Sequence, residues 1–183
     1  MRSSADTERL VSRPEDLDEF RQGRLLLMLA GLDSVRSANH ADLERLSYYD
    51  FFSANPFLVP GDASTRAKLS HAGFETSNLS YQSSSQRFAN NRARLQFDLA
   101  VLTARGLVMP EVHDRRVNYR ATPQGGQLAA AFRSLYADAF RKSASLIVDH
   151  LRHLSDTALR RDAKTWLRAE TFMIDLYDRD TSA

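Results

Sequence analysis

The stretch from Ser83 to Phe132 constrains this chain most, because it reads as a helix, a short hairpin and a second helix with no residues to spare between them. From Ser83 to Arg105 neither Pro nor Gly interrupts, and Leu95, Leu99 and Leu102 recur at i, i+4 and i+7, one apolar stripe of an amphipathic helix. Gly106 ends it, since glycine takes the left-handed C-terminal cap at least cost. Leu107-Val108-Met109 and Val117-Asn118-Tyr119-Arg120 then read as two short strands, joined through the polar tip Glu111 to Arg116. Pro110 cannot donate to a ladder and restricts the first strand to a sheet edge. Thr122-Pro123 opens the next helix, with a hydroxyl able to cap free N–H groups and a proline that loses nothing at a first turn.

Helix, wing and helix in that order are the second half of a winged helix. The expected fold class is mainly α: a winged-helix core over 14–122 with a small β-hairpin wing and a long loop at 57–82, then a long C-terminal helical hairpin over 123–178. At 183 residues and 43% hydrophobic content the whole chain, 1–183, is expected to form a single domain.

Upstream, Ser12 can cap a helix starting at Pro14, whose early acids Glu15, Asp16, Asp18 and Glu19 complement the helix dipole. The block Leu25-Leu26-Leu27-Met28-Leu29 must be buried on most sides, in the core or against a partner. Asn39 is the expected cap of the next helix, which carries Leu43, Leu46, Tyr48, Tyr49, Phe51 and Phe52 and breaks at Asn55-Pro56. Four aromatics in five residues exceed what one stripe can use. Leu25, Leu26, Leu29, Tyr48, Tyr49, Phe51, Phe52 and Trp166 are therefore the expected protein interface, more apolar surface than one small domain needs.

Phe57 to Gln82 shows no sustained period and reads as an extended loop, with room for one helical turn near Ala67 to Ala72. It stands where a DNA-reading winged helix would have its tight helix-turn-helix. After the wing, Leu128, Phe132, Leu135, Tyr136, Ala139, Leu146, Ile147, Leu151 and Leu154 keep helical spacing, predicting one helix from Pro123 to about Leu154. Leu159, Ala163, Trp166, Leu167, Met173, Ile174 and Tyr177 predict a last helix that folds back on it.

Charge is nearly balanced at +2, but it is unevenly placed. Residues 83–120 carry seven Arg against Asp98, Glu111 and Asp114, whereas residues 1–56 carry seven Arg against ten acids. Arg87, Arg92, Arg94, Arg115 and Arg116 are the candidates for contact with nucleic acid or with an acidic partner, because a third helix in a groove and a wing on the flanking backbone would both meet phosphates.

Chemistry-bearing patterns are sparse, and the expectation is a protein without enzymatic activity, metal or cofactor. Gly125-Gly126 lacks the Lys-Ser/Thr of a phosphate-binding loop. His150 and His153 with Asp149 and Asp156 share a helix face but match no zinc signature, and His113 reads as a surface side chain. No cysteine is present, so disulfides and thiolate metal sites are excluded. The stretch Met1 to Arg13 is unlike a signal peptide, and the longest apolar run, Leu25 to Ala30, falls far below the roughly 20 residues of a membrane span, so a cytoplasmic location is expected.

Two families share these patterns. Leu102-Thr-Ala-Arg-Gly-Leu-Val108, Asp114-Arg-Arg116 and Thr122-Pro-Gln-Gly125 resemble the wing of MarR-type bacterial regulators. That resemblance implies a homodimeric transcriptional regulator that binds DNA. Leu43-Glu-Arg-Leu46, Tyr49-Asp-Phe-Phe52, Ser80-Tyr-Gln-Ser-Ser84, Arg105-Gly-Leu-Val108, Tyr119-Arg-Ala-Thr122 and Phe132-Arg-Ser-Leu-Tyr136 are similar to the middle component of ABC-three-component systems, a group that includes the small subunit of Lamassu-type antiphage defence. This second resemblance spans about residues 20–151. It implies an accessory subunit bound to an SMC-like coiled-coil ATPase, beside an effector such as a nuclease that is held inactive until foreign DNA is sensed.

Overall fold

The computed structural model describes residues 14–34, 41–74 and 83–179, the side chains of 33, 34 and 169–179 excepted. Ser12, Asn39 and Ser80 to Gln82 lie outside the described residues, as do the side chains of Met173, Ile174 and Tyr177. The architecture is mainly helical with one small antiparallel sheet. Among the described residues the order is α1 (Asp18–Ser34), α2 (Leu43–Ala54), α3 (Ala63–His71), α4 (Ser84–Ala104), β1 (Val108–His113), β2 (Arg116–Ala121), α5 (Pro123–Ala131), α6 (Leu135–Leu151) and α7 (Asp156–Arg179). Single 3-10 turns at Pro14–Asp16 and Pro56–Leu58 precede α1 and follow α2.

α1 is the central element, packed on α2, α4, α5, α6 and β2. That ring of neighbours explains why Leu25 to Leu29 are all buried: a helix covered on every side has no polar face to keep. Two arginines on α1 enter the same interior as ion pairs. Arg21 Nε donates to Asp98 of α4 at 3.0 Å, and Arg24 donates to Asp50 of α2 at 2.9 and 2.7 Å.

The surplus of aromatics on α2 is used inside the core, which corrects the expected interface. α2 is sandwiched between α6 and α4, so its rings serve two sides. Tyr48 stacks on Phe88 at 5.2 Å, Phe51 meets Phe88 edge-on at 5.3 Å, and Phe52 meets Trp166 of α7 edge-on at 5.4 Å. Leu25, Leu26, Leu29, Tyr48, Tyr49, Phe51 and Phe52 each keep 5% or less of their surface, and Trp166 is half-buried. None of the seven has a face left for another protein.

Two further expectations change. The stretch 57–82 holds α3, capped by Asp62, whose carboxylate accepts from Thr65 N–H at 2.6 Å; Leu69 is its buried side chain, and α3 packs on α6. The single helix from Pro123 to Leu154 is two. Phe132 takes extended backbone, Arg141 donates to the terminal carbonyls of Ala129 and Phe132 at 2.7 and 2.9 Å, and Ser134 caps α6 by accepting from Ala137 N–H at 3.1 Å. Leu135, expected on the buried stripe, is 91% exposed at the start of α6. α6 then packs chiefly on α1 and α2, and α7 chiefly on α4 and the Pro56–Leu58 turn, so the two meet less as a hairpin than as consecutive wraps around one core; His150 and Trp166 stand 6.4 Å apart between them.

The hairpin has the predicted place. Ser83 and Thr122 cap α4 and α5, and Gly106 takes a φ of 68° between α4 and β1. β1 pairs with β2 from Val108↔Ala121 out to His113↔Arg116, with Pro110 on the outer edge strand. Along the inner strand, Tyr119 N–H donates to Ala41 at 3.2 Å and Asp42 bridges Asn118, so the piece of chain before α2 extends the sheet.

Candidate functional site

The hairpin's two faces differ in chemistry because side chains alternate along a strand. On one face Val108, Pro110 and Val112 oppose Ala121, Tyr119 and Val117; on the other Met109, Glu111 and His113 oppose Arg120, Asn118 and Arg116. Val108 and Ala121 are buried at the base, while Val112 is 78% and Val117 48% exposed near the tip. The tip is a two-residue turn in which Asp114 and Arg115 take φ of 49° and 63°. Both central residues of such a turn need positive φ, which favours Asn-Gly, so a non-glycine pair here is held at some strain.

The polar face is tied to the helical body by one arginine. Arg116 donates to Asp42 at 3.0 Å and to Asp156, the first residue of α7, at 2.6 Å. The other Asp156 oxygen accepts from Arg45 Nε at 2.8 Å, and Arg45 also donates to the Leu154 carbonyl at 2.6 Å and to Tyr49 Oη at 3.1 Å. The Arg116 guanidinium first, and Arg45 after it, hold the Asp156 carboxyl below the usual carboxylate range against the opposing pull of burial. Hairpin, α2 and α7 are thus joined at a single charged knot.

The five arginines expected at an acidic ligand do not act as a set. Arg116 is neutralised as described. Arg94 donates to Asp16 at 3.3 Å and to the Glu15 carbonyl at 3.4 Å, and Arg87 donates to Asn55. Arg92 and Arg115 are exposed and hold no carboxylate among the described residues. Arg120 of the hairpin is paired as well, with Glu111 at 3.2 Å.

Other polar clusters are internally committed. Asp149 pairs with Arg152 and Asp156 with two arginines, so the face with His150 and His153 offers no free carboxylates, and no group of His, Asp or Glu among the described residues could hold a metal. A groove of about 450 Å³ between α1, β2 and α5 has Arg141 at its edge, but that guanidinium serves α5's last carbonyls and Asp138. Among the described residues no helix is long and apolar enough to cross a membrane.

Val112, Val117, Asp42 and Asp156 escaped sequence reasoning. Extending the strands to His113 and Arg116 would have found the valines, because every second residue from Val108 and from Val117 is apolar. Asp42 and Asp156 lie 114 residues apart and give no local signal.

Fold and surface together define a mainly helical module with one hairpin standing out from a continuous core. The family follows from comparison: the model described as ABC-three component (ABC-3C) system Middle Component 2 matches residues 23–169, and the chain belongs to that family. Membership carries an accessory role in a multi-component defence system, and hence protein partners. Neither the curated proteins nor the solved structures gave a match.

Proposed function

We propose that this chain is a non-enzymatic accessory subunit of a cytoplasmic antiphage and antiplasmid complex of the Lamassu type. It bridges an SMC-like coiled-coil ATPase and a nuclease-type effector, and helps keep the effector inactive until foreign DNA is sensed. The observation that carries this reading is the family match across 23–169, most of the chain. Two features of the fold support it. Arginines and acids far apart in the chain are paired with each other within the fold, Arg21 with Asp98, Arg24 with Asp50 and Arg116 with Asp156, a use of charge that suits a subunit built for binding. The order α4, hairpin, α5, with Ala41 bonded to β2, suits a winged helix used for contact with protein.

The DNA-binding regulator is the weaker reading, since Arg116 and Arg94 already have carboxylate partners and a duplex backbone demands several free cations. The test is reconstitution of the three components of this chain's own system. Effector activity on plasmid DNA should be silent with all three present and no trigger, and should rise when this chain is omitted. Unchanged effector activity on omission would refute the restraining role.

A further inference from the structure

We propose that α3 is a switchable helix: the segment 61–74 docks on α6 and folds as one local unit, and it comes off and unfolds while the rest of the chain keeps its structure. Leu69 is the one buried side chain of α3, and seven of the helix's nine residues are exposed. Every other helix contributes to one contiguous hydrophobic cluster, from which Leu69 is absent. α3 can therefore leave without opening the core.

The hydrogen bonds of the segment close on the segment itself. At its start the Asp62 carboxylate accepts from Thr65 N–H, and Arg66 donates to the Gly61 carbonyl at 3.4 Å. At its end Gly73 takes a φ of 95°; its N–H donates to the Ser70 carbonyl at 3.0 Å, and Phe74 N–H donates to the Leu69 carbonyl at 3.2 Å, a glycine cap. Among the described residues no hydrogen bond or ion pair joins α3 to another element. α5 has the same length and is held from outside: Thr122 at its cap donates to the Gly106 carbonyl at 2.7 Å, and Arg141 of α6 donates to the carbonyls of Ala129 and Phe132.

Length then couples docking to folding. Nine residues fall short of the roughly 12–15 below which an isolated helix is only marginal in water. Ser64, Thr65, Ser70 and His71 are weak helix formers besides. Once Leu69 leaves α6, nothing outside the helix holds it together. Gly61 and Gly73 flank it and give the backbone freedom to make the change. Order and disorder of a single segment is one of the recurring forms of protein switch, and such elements come from the least stable parts of a fold.

The test is amide hydrogen exchange of the full native chain, with α5 as the internal control. In the wild type the amides of 66–74 should exchange roughly a hundredfold or more faster than those of α5 and α6, with little dependence on denaturant below the global transition. Leu69→Ala should strip the remaining protection from 66–74 and leave α5 and α6 within about twofold of wild type. Exchange of α3 in step with α6 in the wild type would overturn the proposal. So would a Leu69→Ala chain that loses protection across α5 and α6, fails to fold, or keeps α3 as protected as before.

Discussion

Arg24 and Asp50 meet through two parallel hydrogen bonds, 2.9 and 2.7 Å, with only a few per cent of either side chain exposed. Asn91 accepts from Arg24 at 3.0 Å and donates to Asp50 at 2.9 Å, so α1, α2 and α4 share one buried polar joint. The Tyr136 hydroxyl of α6 lies against the same guanidinium, and burial pushes this phenol up to about 12, although the residue as a whole keeps 37% of its surface.

Breaking the joint from one side leaves an unpaired buried charge. Asp50→Ala should cost about 3–5 kcal/mol, and a melt should fall by on the order of 10 °C for a chain of this size. Arg24→Met/Asp50→Leu should recover much of that loss, because burying a pair costs desolvation that two apolar side chains avoid. A single variant that melts like wild type would show that the joint contributes little.

The root of the hairpin demands a glycine at one position and is indifferent at the next. A Cβ on Gly125 would overlap the carbonyl oxygen of Leu107 and stand 3.2 Å from Leu26 Cδ1, whereas a Cβ on Gly126 meets nothing within 4 Å. Gly125→Ala should destabilise by about 1–3 kcal/mol or more, and Gly126→Ala should stabilise α5 by roughly 0.5–1 kcal/mol. Equal melting temperatures for the two variants would contradict this packing.

These relationships mark what the sequence could and could not reveal. The hairpin was legible because Gly106, Pro110 and Thr122-Pro123 act locally, each through its own backbone chemistry. The break between α5 and α6 was not, since it has no Pro or Gly and depends on Arg141 reaching back to Ala129 and Phe132. α3 hid because Leu69 is its only fully buried side chain, too little for a periodic stripe. The aromatic run on α2 misled for a different reason: periodicity counts the faces of one helix, but α4, α6 and Trp166 of α7 decide how many of them are covered.

Ser134 restarts the chain after that break, so its hydroxyl carries a measurable share of α6. Ser134→Ala should cost about 1 kcal/mol and raise amide exchange in the first turn of α6 while leaving α5 unchanged. Unchanged exchange at Ala137 would argue against the cap.

The knot at Asp156 should give the hairpin a pH dependence of definite sign. A carboxyl held low in the fold stabilises it above the ordinary carboxylate range, and the contribution disappears as pH falls through the depressed value. The stability gap between wild type and Asp156→Asn should therefore be constant near neutrality and close below pH of about 4. A gap that widens on acidification would reverse the assignment.

Whether this chain joins two other components can be read from capture of a tagged effector out of cells expressing all three proteins of the system. The ATPase should come down with the effector when this chain is present and be lost when it is absent. Recovery of the ATPase in equal amount without this chain would contradict the joining role.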